Sequence, residues 1–293
     1  MKSLAIINPG SSGGKTGRCL AAILRELKGA YDDYAVSSEP GECVRLARNG
    51  SQYECLIAVG GDGTACEILR GMDRARQILG IVPAGTGNSL ARDFGLKTIQ
   101  NAAATIISGR MMPIDLMSVE FSGSGTERQR WFSCSMLSIG YAARVTDVVN
   151  RYLKRVGRFA YPLAAVFCAG KGNTFSAHLS YDDSAPVAAD CTCVLLGNTR
   201  HVGNFESFPS ALIDDGELDA MELRSGFLGQ NLQNISILTR GYFYDPAVRR
   251  RFRRLHITLD RPRMLMIDGE ILPGITDVEI SVVPRGVKIC SPA

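Results

Sequence analysis

Gly60-Gly-Asp-Gly-Thr64 and, further on, Pro83-Ala-Gly-Thr-Gly-Asn88 are the stretches that decide how this chain folds. Each follows a short apolar run, Cys55 to Val59 and Ile81-Val82. Each precedes residues at helical spacing, Ala65 to Met72 and Ser89 to Phe94, the second closed by Gly95. A third junction of the same kind opens the chain. Ser3 to Ile7 runs into Asn8-Pro-Gly-Ser-Ser-Gly-Gly14, after which Leu20, Ile23, Leu24 and Leu27 recur at helical spacing up to Gly29. Uninterrupted apolar runs fit strands buried on both faces. Strand, loop and helix in alternation predict an α/β N-terminal domain with a parallel sheet. In such sheets ligands lie beyond the carboxyl ends of the strands, so the three loops are expected to converge on one crevice.

The pattern changes near Asp115. Strand-like pieces then dominate: Phe175 to Tyr181, Cys191 to Leu196, Leu255 to Leu259, Met264 to Ile267 and Val278 to Val283. Helical patches fall near 142–170 and 228–242. The expectation is a nucleotide-sized α/β domain over 1–120 and a mostly antiparallel, β-rich domain over 121–293. A 293-residue chain, 45% hydrophobic and 21% charged, has ample material for two cores and excludes disordered and fibrous classes. Its net charge of +4 is too mild to point to any partner. The apolar run after Met1-Lys2 is too short for a signal peptide. Phe159 to Gly170 is far short of the ~20 residues that a spanning helix needs. Nine cysteines without a C-x-x-C pair predict reduced thiols and a cytoplasmic protein. Strand spacing in Cys191-Thr-Cys193 places those two thiols on the same face.

The glycine loops carry the chemistry. Glycine lets backbone approach a ligand closely, and a helix N-terminus favours phosphate. Asp62 would repel phosphate unless a divalent cation lies between them, and Mg²⁺ is commonly held by one or two carboxylates plus phosphate oxygens. The alternative is a tight turn with Asp62 as a helix cap. Gly10 to Thr16 imitates a P-loop but has three residues between Gly10 and Gly14 where four are required, and Pro9 stands where glycine should. Proline has no N–H to offer there. What survives is a Gly/Ser loop able to meet an anion, with Lys15 adding charge.

Gly60-Gly-Asp-Gly-Thr-Ala-Cys-Glu67 followed by Pro83-Ala-Gly-Thr-Gly-Asn-Ser-Leu-Ala-Arg-Asp-Phe-Gly95 resembles the nucleotide site of the diacylglycerol kinase catalytic family, which includes sphingosine and ceramide kinases. Further landmarks are Asn8-Pro-Gly-Ser-Ser12, Ser138-Ile-Gly140-Tyr-Ala-Ala143, Gly157-Arg-Phe-Ala-Tyr161, Gly197-Asn-Thr, Pro209, Asp214-Asp-Gly-Glu-Leu-Asp219 and Met266-Ile-Asp268-Gly-Glu270. The resemblance implies an NAD kinase/diacylglycerol kinase-like α/β domain and a β-sandwich-like second domain, with the site between them. The final strand would return to the first domain. It implies transfer of the γ-phosphate of ATP, with Mg²⁺, to a hydroxyl of diacylglycerol or a related lipid. Nucleotide contacts would come from Asn8, Ser11, Ser12, Ser37, Gly60, Gly61, Asp62, Gly63, Thr64, Glu67, Gly85, Thr86, Gly87 and Asn88. Glu270 or Asp268 would act as base, Glu270 being favoured, and Asp62 would work with the metal. A structural Mg²⁺ would take the Asp215 carboxylate and carbonyls of Leu212 and Glu217.

From spacing alone, Asp268-Gly269 is a hairpin turn first and a catalytic site second. Ser135, Ala142 and Ser89 depart from residues frequent in the family, the first two on the acceptor side. An NAD kinase is the alternative enzyme, although its usual second loop differs. A nucleotide-binding regulator without turnover is the alternative outside enzymes. Arg249-Arg-Arg-Phe-Arg-Arg254 suits anionic headgroups or, equally, a solvated face. Arg151, Lys154, Arg155 and Arg158 precede the apolar stretch from Phe159, as a membrane-resting helix or a core helix would. The expected partners are a lipid at a membrane surface, by peripheral contact, and a second copy in a homodimer. No nucleic acid is expected.

Overall fold

The computed structural model describes residues 1–153, 156, 159–168, 174–202, 205–224 and 247–292. The expected helix at 228–242, together with Lys154, Arg155, Gly157 and Arg158, lies outside them.

The first half alternates as its sequence pattern requires: β1 (Ser3–Ile7), α1 (Ser11–Arg18), α2 (Leu20–Glu26), β2 (Asp33–Val36), α3 (Glu42–Asn49), β3 (Cys55–Gly60), α4 (Asp62–Gly71), β4 (Ile78–Pro83), α5 (Ser89–Asp93) and α6 (Ile99–Ser108). β1 pairs in parallel with β2 and β3, and β3 in parallel with β4. Side chains alternate across these strands, so each strand feeds two cores. Leu4, Ile6, Leu56 and Ala58 pack on one face of the sheet, and Ala5, Ile7, Ile57 and Val59 on the other. That is why β1 and β3 carry no polar alternation.

The second half contains β5 (Met111–Gly123), β6 (Gln129–Ser133), β7 (Met136–Gly140), α7 (Tyr141–Val148), a π-helical turn (Val149–Leu153), α8 (Ala160–Cys168), β8 (Phe175–Tyr181), β9 (Val187–Gly197), β10 (His201–Val202), β11 (Phe205–Glu206), β12 (Leu218–Arg224), β13 (Val248–Phe252), β14 (Arg254–Ile267) and β15 (Glu270–Cys290). The pairings of β5 with β6, β7 with β9, β9 with β12 and β14 with β15 are all antiparallel. β15 pairs along its length with β14 and β5, then runs parallel to β4 through Lys288↔Ile78 and Ile289↔Leu79. One 13-stranded sheet therefore runs through both halves, ten of its strands in the order β13-β12-β9-β7-β14-β15-β4-β3-β1-β2 and β5, β6 and β8 paired off this path. β5 itself passes through residue 120.

Two local expectations are corrected. Leu223 faces Cys193, but Arg224 faces Cys191, so β9 carries an extra residue at Thr192. A bulge of this kind breaks the alternation. Cys191 consequently lies in the core of the antiparallel sheet, whereas Cys193 lies under α7 and α8. The arginine run is a strand, β13, paired with β12. Arg250 meets Glu222, Arg251 meets Asp215 and Glu217, Arg254 meets Asp183, and Arg249 donates to the Ser207 carbonyl. Partners within the fold thus take up much of the charge read as a headgroup patch.

Candidate active site

The loops after β1, β3 and β4 meet. A Cβ on Gly60 would lie 2.3 Å from Thr64 Oγ1 and 3.0 Å from Ser11 Oγ. Only glycine fits there. Asn8 ties the first loop to the second, its Nδ2 donating to Thr64 Oγ1 (3.2 Å) while its Oδ1 accepts from the Gly10 amide (3.0 Å). Ser12 and Thr16 both donate to the Ala84 carbonyl, at 3.0 and 2.9 Å, which ties the first loop to the third. Ser12, Gly13 and Gly14 are left-handed, with φ of 51°, 64° and 84°, so the chain turns back before α1 becomes regular. Lys15 is exposed, as the failed P-loop match anticipates.

Asp62 lies on the first turn of α4, but its carboxylate points away from that helix. It accepts from the amides of Ser89 (2.9 Å) and Leu90 (3.1 Å) and so caps α5 instead. Burial holds its pKa above the usual carboxylate range, opposed by these two bonds. Asn88, left-handed at φ 52°, clasps Gly85 through both amide atoms, accepting from its N–H (2.9 Å) and donating to its carbonyl (2.8 Å). Asn88 thus shapes the loop. Glu67 Oε2 accepts from the Cys43 amide (3.1 Å) in the first turn of α3. Ser37 is buried at the end of β2, where its amide donates to the Ile7 carbonyl (2.9 Å).

Asp268-Gly269 is both things its sequence allowed. Ile267 pairs with Glu270, so these two residues form a two-residue hairpin loop with φ of 46° and 93°. The turn lies against the second loop, where a Cβ on Gly63 would come 3.3 Å from the Asp268 carbonyl oxygen. Asp268 is buried, accepting at Oδ1 from Met136 N (2.8 Å) and at Oδ2 from Cys134 N (3.3 Å). Burial pushes its pKa up to about 7, and the nearby Asp62 charge adds to the rise. Glu270 is more open. Its Oε1 meets Arg70 Nη2 at 3.3 Å, and burial raises its pKa while Arg70 opposes the rise. Asn150, on the π-helical turn, donates to the Gly269 carbonyl (2.9 Å). Neither Arg70 nor Asn150 carried a sequence signal, because neither sits in a glycine motif.

Most of these groups, though not Gly60, Asn88 or Arg70, line a cavity of about 830 Å³. At one end it is lined by Asn8 to Gly13, Ser37, Gly61 to Thr64 and Gly85 to Gly87. The turn from Asp268 to Glu270 forms the middle. The far end is apolar, walled by Tyr141, Ala142, Val145 and Val149 from α7 and the π-helical turn, Ala160, Tyr161 and Ala165 from α8, and Leu195, Met221 and Leu223 from the sheet. Ser135 is buried beside Thr199 (3.2 Å), whereas Ala142 lines the apolar end.

Two carboxylates, Asp62 and Asp268, line the cavity beside the glycine loops, each held high by burial. Hard oxygen donors so destabilised as anions fit a divalent cation shared with phosphate. The loop from Leu212 to Glu217 carries the other carboxylate expected to meet a metal. Its carboxylate, Asp215, is paired with Arg251 and accepts from the Glu217 amide (3.1 Å). Asp115 holds that loop by accepting from Gly216 N (2.6 Å) and Arg285 N (2.7 Å). Among the described residues, no group of three or more His, Cys, Asp or Glu side chains could hold a metal.

Glycine-lined loops at one end of a cavity, an apolar chamber at the other and a carboxylate between them suit a class of protein that brings a phosphorylated ligand to an apolar one. Residues 2–119 match the family model of the diacylglycerol kinase catalytic domain, and residues 135–291 match that of the YegS C-terminal NAD kinase beta sandwich-like domain. The chain belongs to this diacylglycerol kinase and YegS-like family. Curated relatives include a "Probable lipid kinase YegS-like" protein from Stenotrophomonas maltophilia, 28% identical over 91% of this chain and 88% of the relative. Another is a diacylglycerol kinase from Bacillus subtilis, 27% identical over 94% of this chain and 92% of the relative. A crystal structure of a diacylglycerol kinase from Bacillus anthracis, 23% identical, superposes with a TM-score of 0.77 over 99% of this chain and 97% of that one. At that identity the superposition speaks for the fold alone.

Proposed function

We propose that the protein is an ATP-dependent lipid kinase that transfers the γ-phosphate to a hydroxyl of diacylglycerol or a related lipid. One observation carries this reading: the glycine loops, the Asp268–Glu270 turn and the apolar chamber of α7 and α8 share a single cavity. Residues 1–120 supply the nucleotide end and residues 121–293 the lipid end, with the close of β15 paired to β4 in the first half.

Phosphoryl transfer asks the protein mainly to align groups and stabilise charge. Backbone amides of the loops from Asn8 to Ser12, Gly60 to Thr64 and Gly85 to Gly87 would receive the phosphates. Bound Mg²⁺, beside Asp62 and Asp268, would neutralise phosphate charge. Glu270 accepts the proton of the acceptor hydroxyl, since it is the more open of the two acids and neither of its oxygens is taken by a backbone amide among the described residues. The acyl chains lie in the apolar chamber, where burying each methylene contributes about 0.8 kcal/mol.

No helix among the described residues is long and apolar enough to cross a membrane. Peripheral contact is supported by α8. Its inner residues line the chamber, while Phe159, Leu163, Val166 and Phe167 are exposed on the outside, Phe167 at 81%. A helix apolar on both faces, one of them toward solvent, suits the bilayer interface from which the substrate must come.

Incubation with Mg-ATP and a panel of lipids in mixed micelles, with NAD in parallel, tests the proposal. Phosphate is expected on lipid. Phosphate on NAD alone, or ATP binding with no transfer to any acceptor, would reject it.

A further inference from the structure

Arg70 lies on α4, two turns beyond the second glycine loop and 200 residues from Glu270 in sequence. Its guanidinium carbon stands 3.8 Å from the ring centroid of Trp131, the chain's only tryptophan. Trp131 is itself braced edge-on by Phe121, at 5.6 Å and 84°. The guanidinium is thus sandwiched between an aromatic face and the Glu270 carboxylate. Arg70 is largely buried, and its Nε–H finds no acceptor among the described residues. Burying an unmet donor and a charge works against folding, so packing alone does not account for an arginine here. Methionine of similar length would fill the place beside Trp131 without either cost.

We infer that Arg70 is a positioning residue, which fixes the orientation of the Glu270 carboxylate toward the chamber. The inference rests on the reading of Glu270 as base. Arg70 does not line the cavity, whereas Glu270 does, so the arginine acts through the carboxylate and not on substrate. Stacking on Trp131 restrains the guanidinium, and its Nη2 meets Glu270 Oε1 at 3.3 Å.

The test is a four-enzyme set: Arg70→Met, Arg70→Lys, Glu270→Gln and the double variant Arg70→Met/Glu270→Gln. Each is assayed for kcat and KM with Mg-ATP and lipid, and for thermal unfolding followed by Trp131 emission. Arg70→Met is expected to lose about tenfold or more in kcat, with KM for ATP unchanged and no loss of Tm. Arg70→Lys should recover part of the rate. The double variant should be no slower than Glu270→Gln, since the arginine has nothing left to position. Full turnover in Arg70→Met, or additive losses in the double variant, would overturn the positioning role while leaving Glu270 as base. Full turnover in Glu270→Gln would instead remove the base, and the inference with it.

Discussion

A Cβ placed on Gly85 would stand 2.3 Å from the Cα of Gly61, so the loops after β3 and β4 touch backbone to backbone. Real Cβ atoms do not approach that closely, and neither partner is the tip of a movable side chain. Gly85→Ala must therefore separate the two loops. Binding of Mg-ATP, followed by calorimetric titration, is expected to weaken at least tenfold, roughly the 1.4 kcal/mol of one lost charge-assisted contact.

Asp62 predicts a second effect on the same pair of loops. Asp62→Ala strips the acceptor from the Ser89 and Leu90 amides at once. Leaving such donors unmet costs about 1–3 kcal/mol each. Denaturant unfolding should show a loss of about 2 kcal/mol or more, with Asp62→Asn, which keeps one oxygen, losing less.

Asp268 makes stability depend on pH in an unusual direction. Its pKa in the folded chain is about 7, against an ordinary value of 3.8, so between about pH 4 and pH 7 the folded state holds a proton that the unfolded chain has released. Stability from this group is greatest below pH 4 and declines as pH rises through that window. Asp268→Asn should flatten this decline, so variant and wild type should diverge most above pH 7 in parallel urea titrations.

Asn150 links the π-helical turn to the Asp268–Glu270 turn by one bond, to the Gly269 carbonyl. In Asn150→Ala the turn loses this restraint. Turnover is expected to fall about tenfold, equivalent to ~1.4 kcal/mol, with KM for ATP unaltered. A rise in KM for ATP with unchanged kcat would place Asn150 in nucleotide binding instead.

Ala165 lines the apolar end of the cavity from α8. Ala165→Phe would fill part of the chamber, so KM should rise for long-chain diacylglycerols and change little for short-chain ones. Equal losses across chain lengths would mean the chains lie elsewhere.

The site was legible wherever its signal was local. Cys55 to Gly60 followed by Asp62 states strand, turn and helix within a dozen residues, and the three loops of this kind do meet. The far strands were not. β14 and β15 read as fragments because Asp260-Arg-Pro-Arg263 and Pro284-Arg-Gly286 look like breaks, yet the ladders absorb them as register shifts. The ion pair of the Asp215 turn was not legible, because its counter-ion, Arg251, lies 36 residues away on a strand that composition described only as basic. Arg70 was invisible for the same reason. An ion pair between α4 and β15 leaves no periodicity in either.

β15 begins at Glu270, crosses the antiparallel half and ends beside β4. A strand common to both halves works like a keel: rotating one half against the other would shear its ladder on either side. Opening the cavity to a two-tailed molecule would therefore fall to the helical segment from Ala160 to Cys168, which packs chiefly on α7 and the π-helical turn. Under the proposed reaction, chain entry and nucleotide entry would then be mechanically separate events, with one rigid strand holding Glu270 still through both.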